Sequence, residues 1–430
     1  MSNIILQSGE NSSLLQTLNN SDSKRNPSIY NTKEVYPNSA TTWINIDPQS
    51  AVPAKNGASQ TFALPKYGIL QQILLSVSKT ATRSAIPIGE EIATIPAGDI
   101  FNCIDRIEFL SSSRVLSTLY SQDLQAQYSN LSADQLNPIV YTSMNAFPTS
   151  AAVGSQTISY CIPIVFGFNQ DINTMMNLSF NEPSQLRVVW SQTEDIVTTA
   201  AGVLVPVVGI PLVTTAMSSP TLGLRYSLYG EADTAEMLSA NFSSDQLNML
   251  TTRFYRENPV TFKGKDTNND VQLIIRNIDV AKAFYVMCRR STQASGALLN
   301  PNKLAPIQSV RIEASGQVIA EITHEQSMYS KLTENGFSIN PLRSGTTDTN
   351  NPIGLENIFK IQTGLWEHSG GGPWSNGYSL REMNNVVIKV SFLDGAVDTD
   401  VEYQLFVEEE TSTVIAVNSA SGRVVNALSN

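Results

Sequence analysis

His324 and His368 are the only histidines in the chain. A histidine titrates near neutral pH and could act as a general base, but a triad or a metal site needs partners, and no nearby motif supplies them. Both are expected on a surface or a helix face. Glu408-Glu409-Glu410 is a carboxylate run, and facing carboxylates are what glycoside cleavage uses. Adjacent residues of a strand point to opposite faces, so only Glu408 and Glu410 can share one. The expectation is a solvated, like-charged strand edge that discourages unwanted pairing. Gly370-Gly371-Gly372-Pro373-Trp374 lacks the Lys-Ser/Thr of a phosphate-cradling loop and reads as a turn. Trp366, Trp374 and Tyr378 near it could stack on sugar rings, although core or interface aromatics are commoner in sandwiches. Arg289-Arg290 and Lys263/Lys265 are short basic spots, expected to meet acidic groups on a neighbouring subunit. Cys103, Cys161 and Cys288 lie far apart in apolar runs and are expected as buried thiols. No residue is assigned a catalytic, cofactor-binding or metal-binding role, and the chain is not expected to be an enzyme.

The elements that carry these residues follow from bulk properties first. At 430 residues the chain exceeds what one hydrophobic core usually serves, so two domains are expected. Apolar residues make up 41% and charged residues 15%, which describes a folded chain with an uncharged polar surface. The net charge of −11 argues against direct, sequence-specific nucleic-acid binding, because that rests on Lys and Arg neutralising phosphates. The start of the chain lacks a basic-then-apolar signal pattern, so synthesis and retention in a reducing cytoplasm are expected. Residues 203–213 form the longest apolar stretch; Pro206, Gly209 and Pro211 break it, and it is about half the ~20 residues a bilayer span needs.

Residues 1–51 are Asn/Ser-rich and are expected to form an extended arm, ordered only against a neighbour. After them come short runs rich in Val, Ile, Tyr, Phe and Thr, separated by Pro, Gly, Asn and Ser, which is the pattern of an all-β sandwich. The runs are 61–64, 70–77, 104–110, 157–166, 186–190 and 222–229, then 271–275, 283–287, 310–313, 386–392 and 401–408. Residues 233–250 are the most helical stretch between them, opened by Asp233 with Glu236 three residues on. The division expected is an arm (1–51), a first sandwich (52–231), a connecting helix and linker (232–257), a second sandwich (258–418) and a tail (419–430).

An internal repeat supports two related domains. RIEFLSSSRVLSTLYSQDLQAQYS begins at Arg106 and RIEASGQVIAEITHEQSMYS at Arg311. In each, a strand with Arg-Ile-Glu enters a small-residue turn, a second strand leaves it with Val115-Leu116 or Val318-Ile319, and a polar helix carries Tyr128 or Tyr329.

The second copy, SVRIEASGQVIAEITHEQSMYSKL, resembles the strand–GGQ–strand–helix pattern of double-jelly-roll major capsid proteins of tailless icosahedral DNA viruses, the lineage of adenovirus hexon, membrane-containing phages and large algal viruses. ISYCIPIVFGFNQDINTMMNLSF is similar to that family's Pro-containing apolar strand, and LRYSLYGEADTAEML to the strand that closes its first jelly roll. Ala314-Ser315-Gly316 departs from the family's double glycine, and the first copy has serines there. The resemblance implies two tandem eight-stranded jelly rolls with short helices, and a homotrimer whose six jelly rolls form a pseudo-hexagonal capsomer of a virion shell. It further implies minor capsid, penton or membrane proteins as partners, an arm that ties capsomers together or meets an internal membrane, and outer towers built from residues 132–155, 193–220 and 336–355. The competing expectations are a carbohydrate-binding or glycan-cleaving β-sandwich and a viral spike or tail protein.

Overall fold

The computed structural model describes residues 39–50, 57–83, 99–112, 114–129, 154–169, 183–191, 196–198, 204–206, 213–229, 246–264, 270–290, 304–334, 357–363, 377–393, 397, 401–418 and 424–426. In the first half the strands are β1 (Ser39–Ile46), β2 (Ser59–Ala63), β3 (Ile69–Arg83), β4 (Ile104–Ser111), β5 (Arg114–Tyr120), β6 (Gly154–Ile164), β7 (Ser184–Trp190), β8 (Ile196–Thr198), β9 (Leu204–Pro206), β10 (Val213–Met217) and β11 (Thr221–Tyr229). Helices α1 (Asp99–Cys103) and α2 (Ser121–Tyr128) flank the β4–β5 hairpin. The second half holds β12 (Gln246–Arg256), β13 (Val260–Lys263), β14 (Val271–Ile274), β15 (Val280–Arg290), β16 (Ile307–Ala314), β17 (Gln317–Thr323), helix α3 (His324–Glu334), β18 (Phe359–Gln362), β19 (Tyr378–Ser379), β20 (Val387–Phe392), β21 (Glu402–Asn418) and β22 (Val424–Asn426).

Pairing shows the duplication that the repeat announces. In the first half β1-β11-β3-β6 makes one sheet and β2-β7-β4-β5 the other. In the second half β12-β21-β15-β18 and β14-β20-β16-β17 repeat that order strand for strand. All these pairs are antiparallel, and each half is a sandwich of the expected jelly-roll type.

Three expectations about segment ends need correction. Residues 39–46, placed in the arm, are β1 and pair with β11 from Ser39↔Tyr229 to Ile46↔Leu222. Residues 246–250, expected as the end of the connecting helix, are strand, and β12 pairs with β21 from Gln246↔Asn418 to Arg256↔Glu408. Residues 233–245 of that helix lie outside the described residues. A partner strand paired along the whole length of β12 outweighs the weak helical periodicity of QLNML. Residues 424–426 of the expected tail fold back on β21 as β22. Among the tower candidates, residues 132–153 and 336–355 lie outside the described residues, whereas 193–220 contains the β8–β9 hairpin and β10, which pairs with β3.

Burial explains two sequence patterns. In β15 the buried run from Ala281 to Arg289 is continuous because its sheet is covered on both faces. Phe284, Val286 and Cys288 join the core of the second sandwich, while Ala283, Tyr285 and Met287 join the core of the first. The sheet containing β3 instead buries one face, with Ile73, Leu75 and Val77 inward. Its outer face is a ladder of hydroxyl pairs, Ser78–Ser159 at 3.2 Å, Thr80–Thr157 at 2.9 Å and Thr82–Ser155 at 2.9 Å. One charged pair lies inside the first core, Lys79 Nζ to Asp99 Oδ2 at 2.6 Å, where the missing hydration is replaced by mutual contact.

Candidate assembly interface

The repeated hairpins match in detail beyond the sequence. Ser112 (φ 53°) turns the first and Ser315-Gly316 (φ 51° and 79°) the second, which is why small residues stand there. Each hairpin has a bulge, between Phe109 and Leu110 or between Ile312 and Glu313. Arg106 Nε donates to Glu108 Oε1 at 2.7 Å, and Arg187 of β7 donates to the same carboxylate. In the second copy Arg311 Nε lies 3.1 Å and Lys389 Nζ 2.7 Å from the Glu313 carboxylate. The cation from the adjacent strand, Arg187 or Lys389, is invisible to a sequence reading because it depends on cross-strand register. Glu108→Gln leaves two guanidinium groups facing each other and is expected to lower stability by about 1–3 kcal/mol, read from the denaturant midpoint. Glu313→Gln, at a more open site, should cost less.

The helices after the hairpins start alike and end in different surroundings. Tyr120 N donates to Asp123 Oδ2 at 2.6 Å, and Thr323 N donates to Gln326 Oε1 at 2.9 Å, so each start is capped from three residues on. In α2, Tyr128 packs into the first core against Phe101, while Gln122 and Asp123 are buried where the second sandwich covers the helix. In α3 the equivalents of Gln122 and Asp123, Glu325 and Gln326, are exposed, and Tyr329 is 69% exposed. The two copies therefore differ in one respect: α2 already has a sheet against it.

That covering sheet supplies a charged joint between the sandwiches. Arg256 of β12 places its guanidinium 4.8 Å from the ring centres of both Tyr120 and Phe406, and donates to Gln122 Oε1 at 3.2 Å. Its Nε lies 3.6 Å from Glu408 Oε1. Glu408 and Asp123 are fully buried side by side. Burial raises both carboxyls, Asp123 to about 6 and Glu408 well above the carboxylate range, the latter helped by the Asp123 charge. Arg289, 5.9 Å from the Phe406 ring centre, is lowered to about 10 by burial and then by Arg256. On the opposite face of β21, Glu409 accepts from Asn277 Nδ2 at 2.7 Å and is pushed up to about 8, chiefly by burial. The sandwiches also meet backbone to backbone, since Gly167 of the turn Gly167–Asn169 abuts Thr252 of β12.

No protein-family model and no curated protein matches the sequence. Solved structures match along nearly the whole chain. The PBCV-1 virus capsid aligns with a TM-score of 0.64 at 10% identity, covering 94% of this chain and 100% of that one. The Faustovirus major capsid protein aligns at 0.61 with 9% identity, covering 96% and 98%. The mavirus major capsid protein aligns at 0.56 with 14% identity, covering 94% of each. The chain has the double-jelly-roll fold.

Within the double jelly roll, the residues singled out from sequence fall in separate places. His324 opens α3, half-buried, with its ring centre 6.2 Å from that of Phe359. His368, Trp366, Trp374 and Gly370–Gly372 lie outside the described residues. Tyr378 is half-buried in β19, and its hydroxyl reaches Ile319 O at 3.5 Å. The glutamate run is not a solvated edge: β21 lies between β12 and β15, and Glu408 and Glu409 are fully buried. Alternation does hold, since Phe406 joins the first core and Leu405 and Val407 the second. Arg289 is buried at the joint rather than presented to another subunit, while Lys263 is exposed on β13 and Lys265 lies outside the described residues. Cys288 is buried, Cys103 and Cys161 are half-buried, and none of the three is in a disulfide. Among the described residues no three His, Cys, Asp or Glu side chains converge as a metal site, and no helix is long and apolar enough to cross a membrane. Asp123 and Arg256 escape a sequence reading because the joint draws on segments far apart in the chain.

Proposed function

We propose that this chain is a major capsid protein, a structural component rather than an enzyme, whose homotrimers tile an icosahedral virion shell. The neighbours in fold are described as a virus capsid and as major capsid proteins, which supports that role. The observation that carries the trimer is the unequal fate of the two repeats. Within one chain, α2 and its hairpin dock on the outer face of the second jelly roll's sheet. The equivalent α3, with Glu325, Gln326 and Tyr329 outward, finds no such sheet in its own chain among the described residues. The equivalent sheet face, the hydroxyl ladder of β3 and β6 beside the exposed Trp43, is likewise uncovered. Placing α3 of one copy on that face of the next repeats the internal contact, and three chains of two jelly rolls close the ring. An uncharged hydroxyl face suits an interface core, from which charge is depleted.

Mass photometry should find trimers, and Tyr329→Arg should give folded monomers; a Tyr329→Arg protein that remains trimeric would sink this arrangement. The domain division proposed takes in the first strands: a first jelly roll from residue 39 to 229 and a second from 246 to 418. Residues 1–38 then serve as the arm, with minor capsid, penton or membrane proteins of the virion as partners. Deleting residues 1–38 is expected to leave trimers intact and to impair shell formation seen by electron microscopy. A deletion through residue 45 would also remove β1 and confound the test. A sugar-binding reading is not favoured, since Tyr378 is half-buried against Ile319.

A further inference from the structure

One pair of carboxyl groups, Asp123 and Glu408, is buried where the jelly rolls join and shares fewer donors than it has oxygens. Asp123 Oδ2 is occupied by Tyr120 N–H, but no N–H or O–H donor reaches Asp123 Oδ1 or either oxygen of Glu408 within hydrogen-bond distance. Those oxygens meet each other, and two carboxyl oxygens make a stable contact only with a proton between them. The groups facing this pair are Gln122 and Gln125 on α2, Tyr120 on β5, Arg256 on β12, Tyr285 and Arg289 on β15, and Glu410 on β21, with the Glu409 charge behind it on the other face of that strand. Arg256 can balance one carboxylate, and its 3.6 Å separation from Glu408 makes no hydrogen bond. Across β21, Glu409 lies beside Glu257, whose Oε1 accepts from Arg276 N at 2.6 Å and Asn277 N at 2.9 Å, and near Asp279, which is held by Arg253 at 2.6 Å. Glu409 Oε1 has no donor either.

We propose that a proton held between Asp123 and Glu408 latches the two jelly rolls together, and that the joint loosens as pH rises. The sign follows from raised carboxyl values in the folded state. Such groups give stability that is fully present below the unfolded value of about 4 and is lost as pH rises through the folded values, about 6 for Asp123 and well above the carboxylate range for Glu408. A joint that depended on ion pairs alone would show the opposite slope, weakening in acid. The latch rests on the double-jelly-roll fold and does not require that the chain build a shell.

Hydrogen exchange of the full chain between about pH 5 and about pH 9, corrected for the intrinsic exchange rate, tests it at residues 120–128 and 404–410. The opening constant there should rise by up to about tenfold per pH unit for each proton released. Glu408→Gln and Asp123→Asn, which carry their own donors, should flatten that rise. Measuring the same series in Tyr329→Arg separates the latch from any effect of subunit dissociation. Wild-type protein with a flat or falling opening constant, or variants that keep the wild-type slope, would overturn the proposal. Should the variants fail to fold, infrared spectra of the wild type decide it. A protonated-carboxyl carbonyl band at neutral pH that disappears on raising the pH supports the latch, and absence of the band refutes it.

Discussion

Gly167→Ala is expected to unseat the two jelly rolls from each other. A Cβ at that position would lie 1.9 Å from Thr252 O and 2.7 Å from Thr251 Oγ1, well inside any contact a real Cβ makes. Thr252 cannot recede easily, because β12 is paired with β21 at Thr252↔Ser412 and its neighbours. Overpacking of a rigid core costs about 1–3 kcal/mol and more where backbone must move, so the loss should reach or exceed the upper figure. Gly316→Ala is the matched comparison. Nothing lies within 4 Å of its Cβ, and only its φ of 79° resists substitution, for about 1–2 kcal/mol. Denaturant midpoints of the two variants, with hydrogen exchange along β12, distinguish a clash at the joint from a strained turn. Equal stability of Gly167→Ala and wild type would mean that the sandwiches do not sit this closely.

Phe109→Ala should be the most damaging truncation in the first jelly roll. Its side chain is fully buried, with ring centres 4.6 Å from Phe168 and 5.9 Å from Phe166. Phe166 and Phe168 stack at 5.1 Å next to Gly167, so this aromatic group links the core to the joint. Removing a buried Phe ring costs about 3–5 kcal/mol, a large part of the 5–15 kcal/mol that holds a typical domain. Phe109→Leu keeps most of the volume and should lose roughly 1.5 kcal/mol or less. Urea titrations followed by the fluorescence of Trp190, buried in the same core, provide the comparison. A Phe109→Ala midpoint equal to that of Phe109→Leu would show that the cluster collapses to fill the space.

By itself the sequence determined the strands and the duplication. Alternating runs such as SQLRVVW in β7 and VIKVSF in β20 specify which side chains face a core, and the Arg-Ile-Glu hairpins occur at matching places in both halves. Those features are local: they depend on side-chain period and on turn residues that tolerate positive φ, so they survive in a chain only about 10% identical to the solved double jelly rolls. Tertiary structure decided everything that needed distant segments to meet. The QLNML stretch became strand because β21 was there to pair with it, and Glu408 and Glu409 became buried carboxyls because β21 lies inside its sheet rather than at an edge. Likewise α2 and α3, alike in sequence and in capping, ended in opposite environments, because a helix's burial is set by the sheet that reaches it and not by its own residues.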